Sequence, residues 1–262
     1  MDLQIAGNAA LVTASSSGLG KASATALARE GVDVVINGRD EERLLEAKAD
    51  IEETAVGTVH PVVADLTEPD DIERLIAETV DEFGGIDHLV TSAGGPPSGP
   101  FLEIPEEEWY AAYDLLVMSV VRLVKEAAPY LQEDGGTIVT ITSRSVKEAI
   151  DALVLSNAVR MGVIGLGKTL SKELAPEVRV NSVLPGMHET ARVEELIDQA
   201  VERGEVDSVE EAKEARGSSV PLGRMGDPIE LGNTVAFLSS PCSGYITGVA
   251  IPIDGGSGQS NL

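Results

Sequence analysis

A short stretch of serine and glycine near the start of the chain has the residue types and position of a phosphate-binding turn. It follows an apolar run, 8–13, and leads into a helix-forming segment that ends at Gly31. Small residues let the backbone approach a phosphate, and the free N–H groups at a helix start point towards it. This geometry suits the pyrophosphate of a dinucleotide. The residues predicted to bind it are Thr13, Ser15, Ser16, Ser17, Gly18, Leu19 and Gly20.

A second binding signal follows the next apolar run, 32–37. A site for NAD places an acidic residue there to bind the adenosine 2′-hydroxyl, but this chain has Gly38 followed by Arg39. Arginine favours a 2′-phosphate through charge-assisted hydrogen bonds. Asp40 is a mild opposing signal, unless it serves only to cap the helix that follows. We therefore predict that NADP(H) is favoured over NAD(H).

The elements that must position these residues alternate between strand and helix along the whole chain. Short runs rich in Val, Ile and Leu are typical of parallel strands buried on both faces. They predict strands at 8–13, 32–37, 58–64, 86–91, 136–142, 178–183 and 246–253. Helices are predicted at 19–30, 41–53, 69–83, 107–132, 152–175, 190–215 and 228–239. The alternation predicts an α/β fold, a Rossmann-type doubly wound parallel sheet of about seven strands with helices on both faces.

Pro61 lies inside the third predicted strand. Proline cannot donate to a β-ladder, so this strand should be at an edge of the sheet. The doubly wound order 3-2-1-4-5-6 places the third strand there. We expect a single domain, 1–262, in which the charged segment 189–216 forms a helical lid over the substrate.

The chain of 262 residues is strongly acidic. It has 44 Asp and Glu against 19 Lys and Arg, for a net charge of −25. This charge opposes binding to nucleic acid or to an anionic membrane, and it leaves a small molecule as the expected partner. An acidic surface poor in lysine suits a cytosol with very high salt, where screening removes the self-repulsion. The alternative is an acidic protein from an ordinary mesophile.

The remaining composition predicts a cytoplasmic protein without metal. Cys242 is a single cysteine, which excludes an internal disulfide and fits a reducing compartment. No apolar run approaches the ~20 residues of a membrane span, and residues 1–4 lack the features of a secretory signal. No group of His, Cys and Asp has the spacing of metal ligands.

Five segments, in order along the chain, resemble the motifs of the short-chain dehydrogenase/reductase family. The closest resemblance is to its branch loosely called 3-oxoacyl-(acyl carrier protein) reductase-like. The first segment is the turn 13–20, which resembles TGxxxGxG, and the last is 253–256, which resembles the C-terminal DGG. The three between them imply further cofactor contacts at Asp65, Leu66, Ala93, Gly94, Pro185, Gly186, His188 and Thr190.

The catalytic positions depart from this family. The family pairs a serine with a tyrosine thirteen residues on and a lysine four further, whereas this chain has Ser143, Ser156 and Arg160. The resemblance implies that Ser143 orients a carbonyl group, that Ser156 replaces the phenolic proton donor, and that Arg160 binds the nicotinamide ribose. A serine hydroxyl is a far weaker acid than a phenol, and arginine stays protonated.

Further departures affect the turn and the proton relay. Ala14 replaces the first glycine of the turn, and an alanine is tolerated there only if its φ is negative, so we expect the backbone to adjust. Thr91 and Ser92 replace two asparagines. Leu116 occupies the helix position at which the family usually has an asparagine that helps to relay protons.

Two functions remain open at this point. One is an NADP(H)-dependent oxidoreductase that acts on a carbonyl or a secondary alcohol, and the other is a catalytically silent dinucleotide-binding protein.

His188 could donate the missing proton, or it could be a structural loop residue. Arg144 and Lys147 could bind an acidic substrate, or they could simply face solvent. Helices corresponding to 107–132 and 152–175 pair between subunits in the family, so the resemblance implies a homotetramer.

Overall fold

One parallel sheet forms the centre of the protein. The structure is a computed structural model of the chain, and it describes residues 1–190, 193, 197, 201 and 208–260. The strands in this part of the chain are β1 Ala9–Val12, β2 Asp33–Gly38, β3 Val59–Val63, β4 His88–Thr91, β5 Gly136–Ile141, β6 Val178–Pro185 and β7 Ala250–Ile253. Their order is β3-β2-β1-β4-β5-β6-β7, and each neighbouring pair is parallel. The predicted doubly wound sheet is confirmed.

Helices cover both faces of the sheet. They are α1 Gly18–Arg29, α2 Glu41–Glu52, α3 Pro69–Phe83, α4 Glu106–Tyr113, α5 Ser119–Glu133, α6 Val154–Glu173, α7 Val209–Ser218 and α8 Pro228–Ser239. The single helix predicted over 107–132 is wrong in one respect, because a π-helical turn at Asp114–Met118 separates α4 from α5. The wider turn leaves both Leu116 and Val117 buried. No described helix has the length and apolarity to cross a bilayer.

Two apolar layers bury the two faces of the strands. In β1, Leu11 packs into the layer beneath α3, α5 and α6, whereas Ala10 and Val12 pack into the layer beneath α1, α2 and α8. This alternation along a fully apolar strand is the pattern expected of a parallel sheet that is covered on both faces. The apolar strand runs in the sequence therefore reflect burial on both sides.

The edge position of β3 is confirmed. Pro61 lies opposite Ile36 of β2, its one neighbouring strand within the described part of the chain. Half of the predicted lid, 189–216, lies outside the described residues, which omit 191–192, 194–196, 198–200 and 202–207. The helix α7 belongs to this segment, with Ser208 accepting a hydrogen bond at its start from the Glu211 N–H at 3.1 Å.

Candidate active site

A groove of 620 Å³ lies at the carboxyl ends of the central strands. It spans the boundary between β1 and β4, at which the strand order reverses, and ligands of doubly wound sheets bind at such a boundary. The lining includes the turn before α1, the ends of β2, β3, β4 and β5, and Arg160 of α6. The lining residues are Ala14, Ser16, Ser17, Gly18, Leu19, Gly20, Asn37, Gly38, Arg39, Ala64, Asp65, Leu66, Thr67, Ser92, Ala93, Gly94, Gly95, Ala111, Leu115, Ile141, Thr142, Arg160 and Thr190.

The turn before α1 presents backbone to this groove. Ser17 is the residue before the helix, and its side chain makes no capping hydrogen bond. The first turn of α1 has no acidic residue, although most other helices of this acidic protein begin with one. Gly20 must be glycine, because a Cβ there would lie 2.4 Å from the Ala14 carbonyl oxygen. The N–H groups of this helix start are therefore available to an anion.

Two residues predicted to bind the cofactor lie beneath the turn instead. The Thr13 hydroxyl donates to the Ser92 carbonyl at 2.8 Å and accepts from the Ser92 N–H at 2.9 Å. The Ser15 hydroxyl donates to the Val12 carbonyl at 2.6 Å and accepts from the Asn37 N–H at 2.9 Å. Both are fully buried and neither lines the groove. They hold the turn against β2 and β4.

The buried amide of Asn37 completes this support, and sequence reasoning missed it. Its Oδ1 accepts from the Ala14 N–H at 3.2 Å, and its Nδ2 donates to the Ala64 carbonyl at 3.1 Å. The side chain thereby joins the ends of β1, β2 and β3. An amide at the end of the apolar run 34–36 was the available signal.

The expectation that Ala14 needs a negative φ is wrong. Its φ is +46°, in the left-handed region. The hydrogen bond that the Ala14 N–H donates to the Asn37 Oδ1 holds this conformation, so the alanine keeps the shape of a glycine turn at the cost of local strain.

Arg39 and Asp65 face each other across the β2 and β3 ends of the groove. The guanidinium Nη1 of Arg39 lies 3.8 Å from the carboxylate of Asp65, and the Arg39 side chain is 78% exposed. Burial raises the pKa of Asp65, but hydrogen bonds from the Thr67 N–H and hydroxyl and the Arg39 charge outweigh it, and the net pKa is lowered. This exposed pair is too long for a hydrogen bond, so Arg39 can exchange Asp65 for an anion from solvent.

The two residues that flank Arg39 in sequence do not supply an acid for a ribose. Asp40 accepts a hydrogen bond from the Arg43 N–H at 3.0 Å, so it caps α2, as one of the two interpretations predicted. A Cβ on Gly38 would lie 3.1 Å from the Ser16 hydroxyl oxygen, so a side chain there would crowd the turn.

The three predicted catalytic positions lie at the end of β5 and at the start of α6, and of the three only Arg160 is among the residues that line the groove. Ser143 has an extended backbone, is half-buried, and accepts a hydrogen bond from the Ser145 N–H at 3.1 Å. Ser156 is 7% exposed, and its hydroxyl lies 3.0 Å from the Ser145 hydroxyl. Ser145 thus connects the two positions. Sequence reasoning missed it, because a contact between residues eleven apart depends on the path of the loop.

Arg160 is a buried cation at the inner wall of the groove. It is 8% exposed, and its Nη2 makes one long hydrogen bond, 3.4 Å, to the Gly94 carbonyl. Its Nε is buried without a hydrogen-bond partner among the described residues. Burial lowers the pKa of its guanidinium to about 10, so it remains protonated at neutral pH. A buried guanidinium with so few partners has hydrogen-bond donors to offer to a ligand in the groove.

Thr91 and Leu116 border the same guanidinium. All three residues line a small internal cavity, and the Thr91 hydroxyl is also buried without a partner in the described part of the chain. The apolar Leu116 side chain offers no hydrogen bond to either polar group.

No tyrosine lines the groove. The four tyrosines all lie on the surface, so none replaces the phenol that the family uses; they are Tyr110, Tyr113, Tyr130 and Tyr245. Within the described residues no group of His, Cys, Asp and Glu could hold a metal ion.

The residues at the end of β6 and just after it lie in two places, some at the groove and some against β7. Thr190 lines the groove, and a Cβ on Gly18 would lie 3.7 Å from its methyl group. Pro185 is paired with Ile253 of β7. A Cβ on Gly186 would lie 2.6 Å from the Cα of Asp254, so this glycine permits close packing on β7.

His188 lies outside the groove. It lines a separate cavity of 120 Å³ with Arg224 and Glu230, and its Nδ1 lies 3.3 Å from the Gly186 carbonyl. A Cβ on Gly226 would lie 2.8 Å from the imidazole, so the ring is packed against this glycine. Burial lowers the pKa of His188. Of the two predicted roles, the geometry favours the structural one.

The two cations that follow Ser143 also lie outside the groove. Arg144 forms an ion pair with Glu148 at 2.8 Å. Arg144 and Lys147 line a cavity of 160 Å³ beside residues 254–260 of the C-terminal segment. Arg144 is therefore already paired with a carboxylate.

Comparison with known proteins agrees with this geometry. Residues 13–258 match the family model described as enoyl-(acyl carrier protein) reductase. The chain is 33% identical over 256 residues to the 3-oxoacyl-(acyl carrier protein) reductase of Thermotoga maritima, covering 97% of this chain and 99% of the relative.

Two solved structures are close in shape. L-Sorbose reductase from Gluconobacter frateurii, complexed with NADPH and L-sorbose, has a TM-score of 0.94 at 29% identity, covering 99% of this chain and 100% of that one. A short-chain oxidoreductase from Pseudomonas aeruginosa, described as containing an atypical catalytic center, has a TM-score of 0.89 at 30% identity, covering 97% and 98%. This chain belongs to the short-chain dehydrogenase/reductase family of oxidoreductases, in its 3-oxoacyl-(acyl carrier protein) reductase-like branch.

Proposed function

We propose that this oxidoreductase uses NADP(H) to interconvert a carbonyl group and a secondary alcohol. The observation that carries the proposal is the buried, unpaired guanidinium of Arg160 at one end of a groove whose other end holds the exposed Arg39. The L-sorbose reductase neighbour is complexed with NADPH.

The groove residues fit a dinucleotide in three places. The helix start at Ser16, Ser17, Gly18, Leu19 and Gly20 would hold the pyrophosphate. Arg39 would bind the 2′-phosphate, with Asp65 and Leu66 beside the adenine. The nicotinamide half would be held by Ala93, Gly94, Arg160 and Thr190. Pro185 and Gly186 would lie beneath that half of the cofactor. When bound, the nicotinamide supplies or accepts the hydride.

The polar residues of the site would then act on the carbonyl oxygen. The Ser143 oxygen already accepts from the Ser145 N–H, which leaves its O–H proton free to donate to a substrate. The charge of Arg160 would stabilise the negative charge that develops on that oxygen. The linked hydroxyls of Ser145 and Ser156 would orient Ser143 rather than replace the phenolic acid.

The family resemblance also supports proposals about the substrate and about the oligomeric state. The loop 94–100 and the segment 189–216 would enclose a small-molecule substrate within a single domain. We also propose a homotetramer that works in a cytoplasm of high salt, because α5 and α6 correspond to helices that pair between subunits in the family.

A cofactor titration tests this proposal. NADPH and NADH would be titrated into the wild-type protein and the Arg39→Ala variant in molar KCl. We expect the wild type to prefer NADPH, and Arg39→Ala to weaken NADPH selectively, by on the order of tenfold or more for a lost charge-assisted contact. Arg43→Ala, on the neighbouring helix, is the matched control and should change neither affinity.

Turnover would be measured with the same protein on a panel of aldehydes, ketones and secondary alcohols. Slow reduction that needs NADPH would support the proposal. Equal loss of both cofactors in Arg39→Ala would show that this arginine does not bind the phosphate. Tight cofactor binding with no turnover of any compound would favour the catalytically silent alternative.

A further inference from the structure

Charge balance differs between the two ends of the groove. Its charged lining residues in the described part of the chain are Arg39, Asp65 and Arg160. Arg39 and Asp65 offset each other as an ion pair. Arg160 forms no ion pair with any described residue, and burial alone accounts for its lowered pKa. One end of the groove is therefore nearly neutral, and the other carries a full buried positive charge.

The topology assigns the charged end to one half of a dinucleotide. Arg39 follows β2, whereas Arg160 donates to Gly94, which follows β4. Strand β1 and the start of α1 lie between them. In a doubly wound sheet the pyrophosphate binds at this helix start and the adenosine binds at the end of β2. The nicotinamide half must then extend towards Arg160.

We propose that the unpaired charge of Arg160 makes this groove bind the reduced nicotinamide cofactor more tightly than the oxidised one. The inference rests on the proposed function, because it needs the cofactor to occupy the groove. The reduced ring is neutral and the oxidised ring carries one positive charge, while the phosphates of the two forms are the same. A nearby cation that no carboxylate offsets repels only the oxidised ring. The protein therefore binds mainly the reduced cofactor, which donates hydride. This preference favours carbonyl reduction over alcohol oxidation.

The buried position of Arg160 keeps this discrimination large. Two like charges several ångströms apart repel strongly where water is excluded, and salt screens them little there. The hydrogen bond to Gly94 and the packing beside Leu116 hold the guanidinium at the inner wall. The preference should therefore persist in molar salt, unlike an effect of the acidic surface.

The test is a set of affinity measurements that requires no turnover. NADPH, NADP⁺ and 2′,5′-ADP would be titrated by calorimetry into the wild type, Arg160→Met, Arg160→Lys and Lys168→Met. Lys168→Met removes a positive charge from the outer side of the same helix, where Lys168 is exposed. We expect the wild type to bind NADPH more tightly than NADP⁺. Arg160→Met should reduce that ratio by on the order of tenfold or more.

The other variants and the third ligand separate charge from shape. Arg160→Lys keeps the charge and should keep most of the ratio, and Lys168→Met should leave it unchanged. 2′,5′-ADP lacks the nicotinamide, so its affinity should be the same in all four proteins. The inference is overturned if the wild type binds NADPH and NADP⁺ equally tightly, or if the ratio of their dissociation constants is unchanged in Arg160→Met. The proposed function stands in either case. Failure of every ligand to bind overturns the proposed function and the inference with it.

A second variant covers the case in which Arg160→Met does not fold. Thr91 lines the same small cavity as Arg160, so Thr91→Asp would place a carboxylate beside the guanidinium. The added negative charge should lower the ratio of NADP⁺ to NADPH dissociation constants in the same direction as Arg160→Met. An unchanged ratio in a folded Thr91→Asp protein also overturns the inference.

Discussion

Ser156 stands where a phenolic proton donor is expected, and its hydroxyl is occupied by Ser145. Losing a positioned general acid costs about 10²–10⁴ in rate. We therefore expect Ser156→Tyr combined with Arg160→Lys to raise kcat for carbonyl reduction within that range, measured at saturating NADPH. The phenol would extend from the start of α6 towards Ser143, in the position from which an acid can reach the carbonyl oxygen.

A size-matched control separates acidity from packing. Ser156→Phe with Arg160→Lys fills the same volume without a hydroxyl, so it should show no gain. Adding Ser143→Ala to the tyrosine variant should remove most of the gain, because the carbonyl oxygen loses a hydrogen-bond donor. A gain that the phenylalanine variant shares would mean that this position does not carry the acid.

The spacing 143, 156 and 160 predicted a shared site, and the structure links two of these positions, Ser143 and Ser156, through Ser145. The spacing could not predict the hydrogen-bond partner of each side chain. Ser145 lies between two predicted residues in space, and no periodicity joins it to Ser156 across the intervening loop. For His188 the sequence left a proton donor and a structural residue as alternatives, because a residue two positions from Thr190 can face the other side of the chain.

The turn before α1 stores strain at Ala14. A left-handed L-residue costs roughly 1–2 kcal/mol, whereas glycine costs about 0.4–1 kcal/mol more entropy on folding than alanine. We expect Ala14→Gly to stabilise the protein by about 0.5–1 kcal/mol in urea unfolding. The hydrogen bond from the Ala14 N–H to Asn37 needs only the backbone, so it should survive.

Gly18 offers the converse experiment in the same turn. Its φ is +56°, and a Cβ there would meet nothing closer than 3.7 Å. Gly18→Ala therefore adds backbone strain without a clash and should destabilise the protein. Destabilisation by Ala14→Gly would show instead that the packing of the Ala14 methyl against the core outweighs the strain.

Element types were predictable from apolar runs and caps, but some boundaries were not. The strand predicted at 246–253 begins at Ala250. The Ile246 carbonyl instead accepts from the Asn181 Nδ2 at 2.9 Å, and the Thr247 hydroxyl accepts from the Val180 N–H at 3.1 Å. These side-chain bonds replace the ladder at that point. The break at Asp114–Met118 was equally hidden, because a π-turn interrupts neither the apolar content nor the helix propensity.

Stability of the whole molecule should fall in mild acid because His88 is buried and neutral. Its Nε2 accepts from the Asn8 amide at 2.9 Å, and its Nδ1 lies 2.9 Å from the Thr137 hydroxyl. Burial, with a smaller contribution from Arg179, lowers its pKa to about 4, against about 6.5 in the unfolded chain. The unfolded state therefore binds more protons between these values, and stability declines as pH falls through them.

The expected loss from His88 between pH 7 and pH 5 is about 2 kcal/mol of unfolding free energy. Urea unfolding of the wild type and His88→Gln over this range would measure it. Glutamine keeps a polar side chain but does not titrate, so its pH dependence should be flatter by that amount. Other groups, including His188, titrate in both proteins and cancel in the comparison. Parallel pH profiles would show that His88 is not the group responsible.

The net charge of −25 should make folding depend on salt. Several basic residues are already engaged with acids, as in the pairs of Lys21 with Asp50, Lys48 with Glu52 and Arg74 with Asp71, and the acids outnumber the bases, so the excess carboxylates repel one another. We expect Tm to rise steeply as KCl is added from low millimolar concentrations. The Debye length is about 10 Å at 0.1 M and about 3 Å at 1 M, so screening should be nearly complete by ~1 M.

Most of the rise in Tm should occur below that KCl concentration if repulsion is its cause. A rise that continues linearly to several molar would indicate exclusion of salt from the protein surface instead, and an unchanged Tm would contradict the halophilic interpretation of the acidic surface.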